Sequence, residues 1–320
     1  MSDAAHHRTK QAPIHSGFGP QTTASEVLGG RRLDGVRAVV TGGYVGVGLE
    51  TTRALARAGA TVIVPARTPE KARAALAGLE GVELESLDLA DPASIDAFAS
   101  RLLASGRPLQ VLVNNAGIMA TPLTRDGRGF ESQLATNHLG HFQLTFRLWP
   151  ALVSARGARV VSLSSRGHAR SGIDFDDPHF LQRPYDKWIA YGQSKTANAL
   201  FAVALDARGA QDGVRAFSVH PGAILTELMR SMTEEERRAA KSAAEAGGTV
   251  IKSAEQGAAT SVWCATSPQL DGKGGVYCED VDIAKAVPPD HPEPHGVRPW
   301  ANDPYLAELL WNRSEEWMRN

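Results

Sequence analysis

A phenol and an ammonium stand four residues apart in Tyr191-Gly192-Gln193-Ser194-Lys195. The surrounding run, 190–205, is apolar and rich in alanine and leucine, which predicts a helix. On a helix, positions i and i+4 lie on one face, one turn apart. A neighbouring ammonium favours the phenolate and lowers the phenol's pKa, and an acid that titrates nearer the working pH is a better proton donor. Alone, the pair is common, and a lysine on such a helix usually snorkels to water. Its meaning depends on what the rest of the chain places beside it.

The second constellation is a glycine turn, Thr41-Gly42-Gly43-Tyr44-Val45-Gly46-Val47-Gly48. It follows a β-branched run, 36–41, and opens a helix expected over about 46–58. Glycines there let the backbone approach a pyrophosphate, and a helix N-terminus supplies free N–H groups and a positive dipole end. In this context the turn predicts nucleotide binding, although its spacing, Gly42-x-x-x-Gly46-x-Gly48, is not the usual Gly-x-Gly-x-x-Gly. At the end of the next strand, Val64-Pro65-Ala66-Arg67-Thr68, an acidic residue would bind a ribose 2′-hydroxyl and repel a 2′-phosphate. Ala66 stands there instead, followed by Arg67. A guanidinium suits phosphate, so NADP is expected rather than NAD.

These residues need elements to hold them. Strands are expected over 36–41, 60–64, 82–87, 109–113, 158–163, 214–219 and 275–278. Helices are expected over 46–58, 69–79, 92–103, 127–153, 190–209 and 254–265. Such alternation implies βαβ units. Short apolar strands without alternation fit strands buried on both faces. The expected fold is therefore α/β: a doubly wound parallel sheet, a Rossmann fold, in one domain over 34–280. Residues 1–33 are polar and rich in Gly, Pro, Ser and Thr, which predicts an extension partly ordered at best. Residues 281–320 are expected as a tail that packs on the domain and ends in an amphipathic helix over 305–317. The segment 226–248 is expected as a lid. Leu228, Met229 and Met232 would face inward, the charged Glu234-Glu235-Glu236-Arg237-Arg238 would face water, and Gly247-Gly248 would be a hinge.

Composition bounds the function. The 320 residues are 42% hydrophobic and 22% charged, with a net charge of −1. That balance argues against nucleic acid or an anionic membrane as the main partner. No run of apolar residues is long enough to span a membrane, and the first ten residues lack the apolar core of a secretory signal, so the cytoplasm is the expected compartment. Cys264 and Cys278 cannot make a disulfide framework. His6-His7 in a polar tail is no metal site, and no metal is expected.

In their order along the chain these motifs resemble the short-chain dehydrogenase/reductase family. The resemblance rests on the glycine turn, Asp88-Leu89, Asn114-Asn115-Ala116-Gly117, Asn137, Ser164-Ser165, Tyr191-x-x-x-Lys195, and Pro221-Gly222 with Thr226. It spans about 36–278. Asn137-His138-Leu139-Gly140-His141, the long gap between Ser165 and Tyr191, and the tail's Leu-Trp-x-x-Ser-Glu-Glu are similar to the retinol-dehydrogenase-like branch. The resemblance implies hydride transfer between NADP and a small-molecule carbonyl or secondary alcohol, the chemistry of a ketoreductase. Tyr191 would be the general acid, and the base in reverse. Lys195 would lower its pKa and hold the nicotinamide ribose. Ser165, the second serine of its pair, would bond the substrate oxygen. Asn137 would hold a water that relays protons to Lys195. Gly42, Tyr44, Val45, Gly46, Val47, Gly48, Arg67, Asp88, Leu89, Asn115, Ala116, Gly117, Pro221, Gly222, Ile224 and Thr226 would contact the cofactor, together with Tyr191 and Lys195. Val45 departs from the family, which often has Ser or Arg there. Phe180, Trp188, Ile118, Met119, Ile224, Leu228 and Met229 would line an apolar substrate pocket, and His168, His179, Arg166 and Arg170 could meet a polar end of the substrate. Two other functions share the fold: a catalytically silent nucleotide-sensing regulator, which usually lacks the Tyr–Lys pair, and a sugar-nucleotide epimerase or dehydratase, whose turn would end Gly-x-x-Gly. A homo-oligomer is left open.

Overall fold

The computed structural model describes residues 8–246, 250–293 and 295–319. His6, His7, Gly247 and Gly248 lie outside the described residues. Eight strands form one sheet in the order β3-β2-β1-β4-β5-β6-β7-β8. The first seven, all parallel, are β1 (Arg37–Val40), β2 (Thr61–Ala66), β3 (Val82–Ser86), β4 (Val111–Asn114), β5 (Arg159–Leu163), β6 (Arg215–His220) and β7 (Val276–Glu279). The two-residue β8 (Asp282–Ile283) turns back antiparallel, which the reading of an all-parallel sheet did not include. A hairpin needs only a tight turn, whereas another parallel strand would need a crossover.

The helices in chain order are α1 (Ala24–Leu28), α2 (Gly46–Arg57), α3 (Pro69–Leu76), α4 (Pro92–Ala104), α5 (Ser132–Leu134), α6 (Gly140–Arg147), α7 (Trp149–Ser154), α8 (Lys187–Gly209), α9 (Glu234–Ala246), α10 (Ala254–Thr266) and α11 (Pro304–Arg319). Along β1, Ala38 and Val40 pack with α2, α3 and α10, while Val39 packs with α4, α6 and α8. The sheet is thus buried on both sides, which is why its strands lack alternation. The chain winds outward from β1 toward β3 and, in the other direction, from β4 toward β7. The switch point lies between the carboxyl ends of β1 and β4, where open α/β sheets hold ligands.

Three local differences from the sequence reading matter. The helix expected over 127–153 is broken. Asp126 Oδ1 accepts from the N–H groups of Arg128 (2.9 Å) and Phe130 (3.0 Å), making a turn. Helix then starts at Ser132 and passes through a π turn, Ala135–Leu139, before α6. The segment expected as a lid is a 3₁₀ turn, Glu227–Ser231, followed by α9. The extension expected to be loose is, from residue 8, pinned along the sheet edge. The Gln11 side chain donates to the carbonyls of Tyr277 (2.8 Å) and Ala284 (2.7 Å) and accepts from the N–H of Tyr277 (2.9 Å). A glutamine amide carries the same donor and acceptor as a peptide, so it pairs with the strand's open edge as backbone would.

Candidate active site

The glycine turn sits at the switch point, where Val40 pairs with Val113. Gly42 has φ 64°, and a Cβ there would lie 3.1 Å from Ala116 Cα. A Cβ on Gly48 would collide with the Asn115 amide and the Gly42 carbonyl. The turn therefore closes against the loop after β4 only with glycine at both places. Asn115 Nδ2 donates to the Thr41 carbonyl (2.7 Å) and completes the joint. At the start of α2 the N-cap is Val45, with no side-chain cap hydrogen bond. A serine there would satisfy the first-turn amides itself. Valine leaves them to whatever anion lies in front of the helix. The family departure at position 45 thus fits an anion held by backbone alone.

One cavity of about 950 Å³ runs along this edge of the sheet. Gly42, Tyr44 to Gly48, Arg67, Asp88, Leu89, Asn115 to Gly117, Ser165, Tyr191, Lys195, Pro221, Gly222, Ile224 and Thr226 all lie on its wall. Arg67 is exposed at its rim, one residue beyond the end of β2. Of the residues singled out by sequence for catalysis or cofactor contact, only Asn137 is off the wall, fully buried behind it.

Tyr191 and Lys195 lie on α8, whose start is capped by Asp186 Oδ1, which accepts from the N–H groups of Trp188 (2.7 Å) and Ile189 (2.9 Å). The end of β5 grips this helix. Lys195 Nζ and Asn198 Nδ2 both donate to the Leu163 carbonyl at 2.9 Å, and Ser164 Oγ donates to the Lys195 carbonyl at 2.7 Å. Ser164 is therefore a brace, while Ser165 Oγ accepts from the Gly167 N–H at 3.0 Å and lies near the Tyr191 ring: a Cβ on Gly167 would be 2.8 Å from Tyr191 Cε1 and 3.5 Å from Ser165 Oγ.

The electrostatics correct one expectation. The Tyr191 phenol is not acidified: burial pushes it up to about 12, against a smaller lowering from Ser165. Burial also pushes Lys195 down to about 8. The ammonium is 5.6 Å from the phenol ring centroid and bonds a carbonyl instead. Desolvation penalises both charged forms and outweighs their attraction.

Asn137 lies beside Lys195. A Cβ on Gly117 would be 3.1 Å from Asn137 Oδ1 and 3.6 Å from Lys195 Nζ. Both amide protons of Asn137 are engaged, by the Ile118 carbonyl and Ser194 Oγ, each at 2.9 Å, and Oδ1 accepts from the Ile118 N–H (2.9 Å). Asn137 can therefore hold a water only as an acceptor.

Ile118, Met119, Trp188, Ile224, Leu228, Met229 and Met232 line the part of the cavity expected to take a substrate. Three expectations fail there. Phe180 packs on Tyr185 (5.1 Å between centroids) and is not on the wall. His179 stacks on Phe130 at 4.6 Å, also away from it. His168 is buried (1% exposed). Its Nδ1 lies 2.8 Å from the Ser165 carbonyl, and its Nε2 accepts from the Arg298 N–H (3.2 Å). It braces the serine loop against the tail. Arg166 and Arg170 do line the cavity, and Arg170 lies over the Trp188 ring at 5.5 Å. Sequence reasoning missed His220, Pro292, Glu293 and Arg298, which are also on the wall. The tail residues carry no local pattern that marks them. His220 sits at the end of β6, directly before the Pro221-Gly222 stop, and could have been found from that position.

A family model described as short chain dehydrogenase matches residues 37–237. A probable oxidoreductase of Streptomyces lividans is 48% identical over 289 residues, covering 87% of this chain and 96% of the other. Retinol dehydrogenase 12 of Mus musculus is 37% identical over 295 residues, covering 89% of this chain and 87% of that one. The crystal structure of a protein from Mycobacterium paratuberculosis superposes with a TM-score of 0.73 at 33% identity, over 94% of this chain and 98% of its own.

Proposed function

The chain belongs to the short-chain dehydrogenase/reductase family, in its retinol-dehydrogenase-like part, and from that premise we propose an NADP-dependent oxidoreductase acting on a carbonyl or secondary alcohol, with Tyr191 as general acid and base. One observation carries the proposal: Ser165, Tyr191 and Lys195 share a single cavity wall with the glycine turn, and Lys195 stands one helical turn from Tyr191. The cofactor, when bound, supplies the hydride. Everything else falls to the protein. Adding hydride to a carbonyl develops negative charge on oxygen, and the hydroxyls of Ser165 and Tyr191, both on the cavity wall, are the donors that would meet it. A phenol raised to about 12 stays protonated at neutral pH. It can still give its proton to an alkoxide, which is a far stronger base than a phenolate. In the oxidation direction the same phenol must lose its proton, and the ammonium of Lys195 stabilises the phenolate that results. The apolar walls and the α9 segment keep water from the reacting carbon. The preference for the 2′-phosphate rests on Arg67 at the rim, with Ala66 in place of an acid.

The test is a panel of aldehydes and ketones, retinal among them because of the relatives, followed by NADPH absorbance. It is paired with cofactor titrations of the wild type and Arg67→Asp. Turnover is expected with at least one carbonyl. Arg67→Asp is expected to weaken NADPH binding about ten- to a hundredfold, the scale of a charge-assisted contact, while NADH binding changes little. An unchanged cofactor preference would make Arg67 a surface charge, and binding of neither cofactor would overturn the function.

A further inference from the structure

His141, near the start of α6, is 1% exposed and has a partner at each ring nitrogen. Nδ1 lies 2.9 Å from the Asn137 carbonyl oxygen, and Nε2 lies 2.9 Å from Thr41 Oγ1. A carbonyl oxygen can only accept, so Nδ1 carries the proton. In the neutral ring Nε2 is then an acceptor, and the Thr41 hydroxyl donates to it. The neutral form is the one burial favours, with the imidazole pushed down to about 4. The Thr41 oxygen in turn accepts from the backbone N–H groups of Asn115 (2.9 Å) and Ala116 (3.0 Å). A single chain of hydrogen bonds therefore runs from the loop after β4, through the first residue of the glycine turn, to the π turn that carries Asn137. A parallel strut supports it: Asn114 Nδ2 donates to Thr145 Oγ1 (3.1 Å), which donates to the His141 carbonyl (2.8 Å).

We propose that His141 is a positioning residue that sets the spacing between the cofactor floor, Thr41 to Ala116, and the π turn that places Asn137 beside Lys195. This rests on the cofactor-dependent reading of the site. A π turn shifts the backbone ladder and leaves its carbonyls less well served. The ring meets one of them and joins it to the floor through a rigid five-membered spacer. No acid or base step is asked of it. This contact is entirely buried.

Two variants separate the two ends. Asparagine carries its amide nitrogen on Cγ, as imidazole carries Nδ1, so His141→Asn keeps a donor for Asn137 and loses Thr41. Glutamine reaches the position of Nε2, so His141→Gln keeps an acceptor for Thr41 and loses Asn137. The readouts are NADPH affinity by fluorescence titration, and hydrogen exchange of the peptides covering 114–117 and 135–139 in the cofactor-free protein. His141→Asn is expected to weaken NADPH about tenfold and to speed exchange in 114–117. His141→Gln is expected to keep NADPH within about threefold and to speed exchange in 135–139. Changes of that order match the loss of one buried hydrogen bond. With the best aldehyde of the panel, the same split should show as a raised KM for NADPH in the first variant and a lowered kcat in the second. Equal losses at both ends in both variants, or no loss in either, would reduce His141 to core packing. A wild type that binds neither NADPH nor NADH would instead overturn the function itself, before any variant is compared.

Discussion

Burial sets the titration of both members of the Tyr191–Lys195 pair, and it moves them in opposite directions, up to about 12 and down to about 8. The phenol is thereby kept as a proton donor over the whole neutral range. Removing only that proton, by Tyr191→Phe, is expected to cost about 10²–10⁴-fold in kcat, the scale of a general acid, with NADPH affinity nearly unchanged. Near-normal turnover of the Phe variant would end the assignment. The lysine makes the pH dependence specific. Its depressed pKa means that the ammonium is present below about pH 8 and is lost as pH rises through that value. Carbonyl reduction should therefore show kcat/KM for NADPH, which reports the free enzyme, falling above about pH 8. That limb should vanish from the slow Lys195→Met variant. If the limb persists there, it belongs to another group.

At the scale of elements, the part most open to movement is the segment between Ile224 and α9. Its base is fastened: the Lys252 N–H donates to the Ala223 carbonyl (2.8 Å), and Lys252 Nζ pairs with Asp280 at 2.5 Å, almost fully buried on the lysine side. Among the described residues, its far end is held by the ion pair Lys187–Glu236 (2.5 Å), with both side chains 29% exposed. Partly exposed pairs of this kind contribute about 0–1 kcal/mol. Met232 is buried, while Leu225 is 56% exposed at the mouth. Backbone amides in 226–246 should exchange fast in the free protein and slow when NADP and a substrate analogue are present. Glu236→Gln should speed exchange in the free state by a few fold. Equal protection with and without ligands would make α9 a permanently docked helix.

On the scale of the whole molecule, the two chain ends close the side of the sheet that the β–α pattern leaves open. The arm runs along β7 and β8. Ile14 N–H donates to Asp282 Oδ1 (2.9 Å), Gln269 Nε2 donates to the Ser16 carbonyl (2.9 Å), and Arg8 bonds Asn302. The tail lays α11 on α8, with Trp311 against Phe142 (4.8 Å) and Arg208 pairing with Glu308 (2.8 Å). It also reaches the cavity wall through Arg298, whose N–H donates to His168. Gln11→Ala removes three hydrogen bonds, two to Tyr277 on β7 and one to Ala284 just past β8. With neighbours and water taking up part of the loss, about 1–2 kcal/mol is expected, read as a fall of a few degrees in Tm. An unchanged Tm would show the arm to be a passenger.

The residues that meet on the cavity wall were legible because each belongs to a local pattern. Glycines between a strand and a helix, a Tyr and a Lys one turn apart, and Arg67 after an alanine are all fixed by short-range stereochemistry. The sheet followed for the same reason, since strands buried on both faces need continuous apolar runs. What required the tertiary structure depends on distance through space. The ammonium was expected to acidify the phenol because the two are four residues apart, but depth in the protein, which spacing does not encode, reverses the sign. His168 and His179 read as loop residues in the sequence and are buried by elements far along the chain, Arg298 and Phe130 among them. The arm looked loose because its bonds are to residues some 270 positions away. The link from Thr41 through His141 to Asn137 joins three separate stretches, and only folding brings them within reach of one imidazole ring.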